Sequence, residues 1–133
     1  MVPTSGTPVS KLARQGLILQ PHHLEGAYEF LRSLEPIRGW KLPHADETGF
    51  KIIRSKEYRG FHQPHTNGID HTIEVSSYTI RHVDSLLKVM AHEMLHIKQR
   101  LHGEEVRGVE HNKAFWKWAD KICLKFGWDP GLF

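Results

Sequence analysis

The sequence predicts one α+β domain with an N-terminal helix, a small three-stranded antiparallel sheet and two further helices after the sheet. Apolar residues recur at helical spacing in three segments, and β-branched residues cluster between the first and second of these. With 133 residues, 39% of them hydrophobic, the chain can bury one modest core. We therefore expect a single compact domain.

Residues 1 to 21 are predicted to be a flexible lead-in and residues 22 to 133 the folded domain. The first ten residues contain two Pro, one Gly, two Thr and two Ser and offer few apolar anchors. The first helix is predicted from His23 to Leu34, where apolar residues recur every three or four positions. Pro36 and Gly39 mark the end of this helix.

Three short segments after the first helix are predicted to be strands. Phe50 to Arg54 and Tyr58 to Phe61 are rich in aromatic and β-branched residues, and Thr72 to Ser77 shows rough alternation. The Asn67-Gly68 pair is a strong signal for a tight turn. This turn favours antiparallel pairing of the strands on either side of it.

The second and third helices are predicted from Asp84 to Leu101 and from Asn112 to Phe126. Asp84 is a good N-cap, and Gly127 stops the third helix. The second helix carries an apolar stripe that should anchor it in the core, formed by Leu86, Leu87, Met90, Met94, Ile97 and Leu101.

Charge and cysteine content exclude some classes of protein. The 18 Lys and Arg residues barely exceed the 15 Asp and Glu residues, so the net charge of +3 permits nucleic-acid contact without indicating it. Cys123 is the single cysteine, which excludes an internal disulfide and a Cys-x-x-Cys zinc ribbon. The apolar run from Gly16 to Leu19 is too short for a signal peptide or membrane span. We expect a cytoplasmic protein with no membrane partner.

The segment His92-Glu93-Met94-Leu95-His96 matches the H-E-x-x-H pattern. Residues i and i+4 lie one turn apart on one helical face, so two imidazoles can bind one Zn²⁺ at roughly 2.0 to 2.1 Å. Glu93 would lie beside a zinc-bound water, take its proton during attack on a peptide carbonyl, and protonate the leaving amine. The motif therefore predicts a zinc-dependent metallopeptidase with Glu93 as the catalytic base.

A catalytic zinc needs a third protein ligand, and several residues are candidates. His102 lies ten residues after His92, as in the metzincin pattern, but that pattern has a glycine where this chain has Gln99. Three acidic residues could imitate a downstream glutamate ligand: Glu104, Glu105 and Glu110.

His111 is the preferred third ligand. Extrapolated onto the third helix, it lies on the inward face with Phe115, Trp118 and Ile122. The helix would then begin with an imidazole directed at the core and at the second helix. Alternatively, His111 is a histidine at the start of the helix whose ring is hydrogen-bonded to a backbone carbonyl oxygen.

The H-E-x-x-H motif is followed, after fourteen residues, by His111-Asn-Lys-Ala-Phe115. This combination resembles the SprT-like family of zinc metallopeptidases, which includes the Spartan proteases that cut proteins crosslinked to DNA. The resemblance covers roughly residues 22 to 126 and implies a minimal zincin-like fold. It also implies zinc bound by His92, His96 and His111, with Glu93 as base. The chain departs from the family at Asn112, where the family usually has glycine, and it lacks the cysteine ribbon of many relatives.

The expected partner is a protein or peptide substrate, and weak DNA association is a further possibility. In zincins generally, the strand before the active-site helix presents an open edge to the substrate, and Thr72 to Ser77 is the predicted edge. Tyr78, His71 or an arginine could stabilise the oxyanion, and none is assigned. The alternative function is a DNA-associated module with structural zinc, which the basic segments Lys11 to Arg14 and Lys113 to Lys125 favour. The sequence carries no signal for oligomeric state.

Overall fold

The computed structural model describes residues 17–64 and 71–133. Its helices and strands are α1 (Pro21–Arg32), β1 (Thr48–Ile53), β2 (Gly60–Pro64), β3 (His71–Ser76), α2 (Val83–Leu101) and α3 (Lys113–Phe126). The predicted α+β class and the order of helix, sheet, helix and helix are confirmed. Two predicted segments lie outside the described residues: residues 1–16 of the lead-in, and the Asn67-Gly68 turn. The basic segment Lys11 to Arg14 is part of the first of these.

The three-stranded sheet is mixed, so the prediction of an antiparallel sheet is wrong. β3 lies in the centre, parallel to β1 and antiparallel to β2. The register places Thr48 opposite His71 in the parallel pair and Gly60 opposite Val75 in the antiparallel pair. The strands alternate in direction along the chain, but β3 inserts between the first two, which makes one of its two pairings parallel.

The helix α2 is the central element of the core. It contacts α1, α3, β2 and β3, and Met90, Met94 and Ile97 of the predicted stripe are fully buried. Leu101 is exposed. Lys98 is buried instead, because its ammonium group lies 2.6 Å from Glu104 Oε2 and over the Trp118 ring, 4.7 Å from the ring centroid. An ion pair and an aromatic face together offset the desolvation of this lysine.

The N-terminus of α2 differs slightly from the prediction. The N-cap position is His82, and Asp84 lies in the first turn. The Asp84 carboxylate accepts a hydrogen bond from Trp128 Nε1 at 3.0 Å and pairs with Lys88 at 3.1 Å. Asp84 therefore ties the start of α2 to the segment that follows α3. Within residues 17–64 and 71–133, no helix combines the length and apolar character needed to cross a membrane.

Candidate metal centre

His92 and His96 project from one face of α2, one turn apart. Their Nε2 atoms are 3.3 Å apart and their ring centroids 5.0 Å apart. Both rings are half-buried, while Met94 and Leu95 between them are fully buried. The helix therefore fills the core with one side and directs two imidazoles toward the same point on the other.

His111 reaches the same point from the residue pair that precedes α3. Its ring centroid lies 5.0 Å from that of His92 and 5.2 Å from that of His96. The ligand atoms of the three histidines all lie within 4.8 Å of one another. The structure thus brings together the three residues that the sequence analysis selected as metal ligands.

The orientation of His111 depends on Asn112, the N-cap of α3. Asn112 Oδ1 accepts hydrogen bonds from the backbone N–H of Phe115 at 3.0 Å and from Gln99 Nε2 at 2.8 Å. Asn112 Nδ2 donates to the carbonyl oxygen of Glu104 at 2.9 Å. The first turn of α3 is therefore attached to the last turns of α2, and His111 is held next to His92 and His96.

The three imidazoles fit a metal ion. Two nitrogen ligands held at about 2.0–2.1 Å in tetrahedral geometry are about 3.3–3.4 Å apart, which agrees with the 3.3 Å between His92 Nε2 and His96 Nε2. His111 Nε2 is buried and has no hydrogen-bond partner among the described residues. A buried polar atom of this kind is costly unless it is bound. The group can therefore hold a metal ion.

The electrostatics of the site favour neutral imidazoles, the form that binds metal. Burial, followed by the charge of the neighbouring histidines, lowers the pKa of His92 to about 3 and that of His96 to about 4. Their lone pairs are therefore not occupied by protons near neutral pH. The imidazoles of His92 and His96 therefore need not lose a proton before a cation can bind.

Glu93 is buried at the floor of a cleft beside this histidine group. Its side chain is only 5% exposed. Burial, followed by the negative charge of Glu110, raises the pKa of Glu93 to about 8, and the positive charge of Arg59 opposes this effect. A cation bound by the adjacent histidines would also lower this pKa.

Two hollows meet at Glu93, and both are lined by Tyr58, Gly60, His92 and Glu93. The smaller has a volume of about 170 Å³ and ends at Phe133. The larger has a volume of about 430 Å³ and is also lined by Phe61, His62, Pro64, His96, Glu105 and Glu110. The strand along the cleft is therefore β2. All but the last residue of the predicted edge, Thr72 to Ser77, lies in the central strand β3, so that prediction is wrong.

The other candidate third ligands lie in different environments. His102 Nε2 is bonded to the carbonyl oxygen of Trp40 at 2.9 Å, and Glu104 pairs with Lys98. Glu105 and Glu110 line the cleft, but the metal-competent group in the described part of the chain contains only the three histidines. The geometry therefore favours His111 over these alternatives.

None of the candidate oxyanion stabilisers is clearly positioned for that role. Tyr78 is exposed and is not among the residues that line the cleft. His71 is fully buried, with its Nδ1 atom 2.6 Å from His62 Nε2. Among the arginines, Arg59 lines the smaller hollow.

Three residues that shape the site were not predicted from the sequence. A Cβ atom on Gly60 would lie 2.6 Å from Val89 Cγ2, so a glycine is needed where β2 approaches α2. His62 lines the cleft, and Phe133 contacts His92. None of these three positions carries a local sequence signal, because each contact joins distant parts of the chain.

No protein-family model matches this chain, and no curated protein matches it significantly. The resemblance to the SprT-like family therefore remains a prediction that rests on the motif residues.

Proposed function

We propose that the chain is a zinc-dependent metallopeptidase with a zincin-like fold that hydrolyses peptide bonds in protein or peptide substrates. The observation that carries the proposal is the convergence of three imidazoles beside a buried carboxylate at the floor of a cleft. His92, His96 and His111 are the proposed zinc ligands, and Glu93 is the proposed base. The SprT-like resemblance, which the same residues carry, supports the proposal.

Zinc is the metal that the donor set favours. Three protein imidazoles, with a fourth position left for water or substrate, form a common type of catalytic zinc site. When bound, Zn²⁺ would polarise the substrate carbonyl and make a water molecule more acidic. His92 and His96 line the larger hollow, so a metal ion held by the three histidines would be open to that hollow.

Glu93 is suited to moving protons at the scissile bond. Its carboxylate lines both hollows and makes no ion pair with any described residue. It can accept a proton from the attacking water and donate one to the leaving amine. Because it follows His92 directly in α2, the helix fixes its position relative to the imidazoles.

The strand β2 offers an edge at which an extended peptide can bind. Among the described residues, β2 pairs with β3 on one side only. Phe61, His62 and Pro64 of this strand line the larger hollow. A peptide that adds to this edge by backbone hydrogen bonds would pass over Glu93. Substrate recognition would then depend on backbone conformation, which favours unfolded or flexible segments.

The substitution Glu93→Gln tests the mechanism, because the amide has almost the same shape and cannot accept the proton. We expect one zinc per chain in both forms and a fall of about 10²- to 10⁴-fold in the cleavage rate of an unfolded protein. Glu25→Gln, an exposed position on α1, is the matched control and should change neither quantity. Full cleavage by Glu93→Gln would refute the assigned base.

Metal content tests the ligand assignment separately. His111→Ala should lose bound zinc, measured per chain after purification without chelator or added metal. His102→Ala should retain it, because the His102 imidazole is bonded to the Trp40 carbonyl. Unchanged zinc in His111→Ala would move the third ligand to another residue, and no zinc in the wild type would contradict the metal assignment.

One observation favours the alternative of a DNA-associated zinc module. Lysines recur every four residues on exposed positions of α3, at Lys113, Lys117, Lys121 and Lys125. Such a row can contact successive phosphates. Steeply salt-dependent DNA binding, lost when two of these lysines are replaced by glutamate, together with no peptidase activity, would favour this function over the first.

A further inference from the structure

The segment after α3 returns across the protein to the candidate metal centre. Gly127, with a φ of 75°, ends α3 in the left-handed conformation that favours glycine. Trp128 then donates its indole N–H to Asp84 at the start of α2. The 3₁₀ helix Pro130–Leu132 follows, capped by Asp129, whose Oδ1 accepts the Gly131 N–H at 2.9 Å. We call residues 128–133 the C-terminal strap.

The strap ends with Phe133 packed against His92. The Phe133 side chain is only 6% exposed, and its ring centroid lies 5.4 Å from that of His92 and 6.1 Å from that of Phe115. Its main-chain oxygen accepts a hydrogen bond from His92 Nδ1 at 3.0 Å. The buried ring therefore anchors a main-chain oxygen directly behind the first proposed metal ligand.

This hydrogen bond determines which nitrogen of His92 is free. A proton on Nδ1, donated to the Phe133 oxygen, leaves the Nε2 lone pair directed toward His96 Nε2, 3.3 Å away. Among the described residues, His92 is the one member of the histidine group that is bonded to a group outside it. A partner behind a ligating imidazole typically fixes its tautomer and ring orientation.

We propose that Phe133 is a positioning residue for His92: through its main-chain oxygen, the C-terminal strap holds His92 with Nε2 free to bind the metal. The inference rests on the metal site of the proposed function and not on peptidase activity. The ring of Phe133 supplies the anchor, and the main-chain oxygen of Phe133 supplies the contact. The strap thus couples the end of α3 to the geometry of the metal centre.

Deletion of Phe133 removes both anchor and acceptor, and Phe133→Ala removes the anchor alone. We expect Zn²⁺ affinity, measured by competition with a chromophoric chelator, to fall about 10- to 100-fold on deletion and by a smaller factor in Phe133→Ala. Phe133→Leu should restore most of the affinity. Leu132→Ala is the matched control, because that side chain is 60% exposed in the same turn.

A spectroscopic measurement separates positioning from a general effect on the fold. In ¹⁵N NMR of the histidine rings, wild type should show His92 protonated at Nδ1, and the variants should show a mixture of tautomers. Unchanged affinity and tautomer in folded Phe133→Ala and in the deletion variant would overturn the inference. If the deletion variant does not fold, the zinc affinity and the His92 tautomer of Phe133→Ala decide whether the inference holds. A wild type that binds zinc but cleaves no protein would refute the peptidase proposal and leave this inference standing.

Discussion

Replacing Asn112 with alanine should lower the free energy of unfolding by about 3–5 kcal/mol. The Asn112 oxygen caps α3 through the Phe115 N–H and also accepts from Gln99 Nε2. Loss of an N-cap costs about 1 kcal/mol, and loss of the bond from Asn112 Nδ2 to the Glu104 carbonyl oxygen costs about 1 kcal/mol more. The Gln99 side chain is 2% exposed, so its amide would lose a buried partner at a further cost of about 1–3 kcal/mol.

Urea unfolding followed by circular dichroism, with a chelator present so that metal binding does not contribute, measures this cost. Asn112→Asp is the control, because a carboxylate keeps the acceptor for both donors, while its second oxygen replaces Asn112 Nδ2 and faces the Glu104 carbonyl oxygen. Loss of that bond and the repulsion between the two oxygens should cost about 1–2 kcal/mol, less than the cost of Asn112→Ala. A cost below about 0.5 kcal/mol for Asn112→Ala would refute this account of how α3 is attached to α2.

Two further predictions concern the close approach of β2 to α2 and the buried tyrosine of α1. Gly60→Ala should destabilise the fold by about 1–3 kcal/mol, because the new methyl group would lie 2.6 Å from Val89 Cγ2. In a double-mutant cycle, Gly60→Ala should cost less stability when Val89 is already alanine. Strictly additive costs of the two substitutions would contradict the steric explanation. Burial raises the pKa of Tyr28 to about 12 from 10.0. The folded state therefore keeps a proton that the unfolded state releases, and about 3 kcal/mol of stability present below pH 10 should be lost as the pH rises toward 12. Urea unfolding between pH 8 and 11.5 tests this, and a Tyr28→Phe variant that keeps the same alkaline loss would exclude Tyr28 as its source.

The elements that carry the site could be predicted from local patterns. His92 and His96 share a helical face because four residues span about one turn, and the apolar residues between them place that face away from the core. Asn112 was included in the predicted third helix, and its role as N-cap explains why the helix starts there. Local spacing also selected His111, which the structure brings to within 5.2 Å of His96, measured between ring centroids.

The features that local patterns could not predict are those set by contacts between distant segments. The position of β3 between β1 and β2 depends on which strand edges meet, and alternation within a strand carries no such information. Burial of Lys98 depends on Glu104 and on the Trp118 ring, which belong to other elements. Phe133 contacts His92 across 41 residues of chain. Each of these required the folded structure.

The central position of β3 also determines when the sheet can form during synthesis of the chain. The first two strands are not neighbours, so neither of the strand pairs seen among the described residues can form until residues 71–76 have emerged. The helix with His92, Glu93 and His96 begins at Val83, soon after the strand that completes the sheet. A nascent chain that stops short of β3 lacks both of these pairs, and in one that includes β3 the next helix to emerge is α2. The sheet and the α2 side of the cleft should therefore form together as one cooperative unit, and His111 joins them when α3 follows.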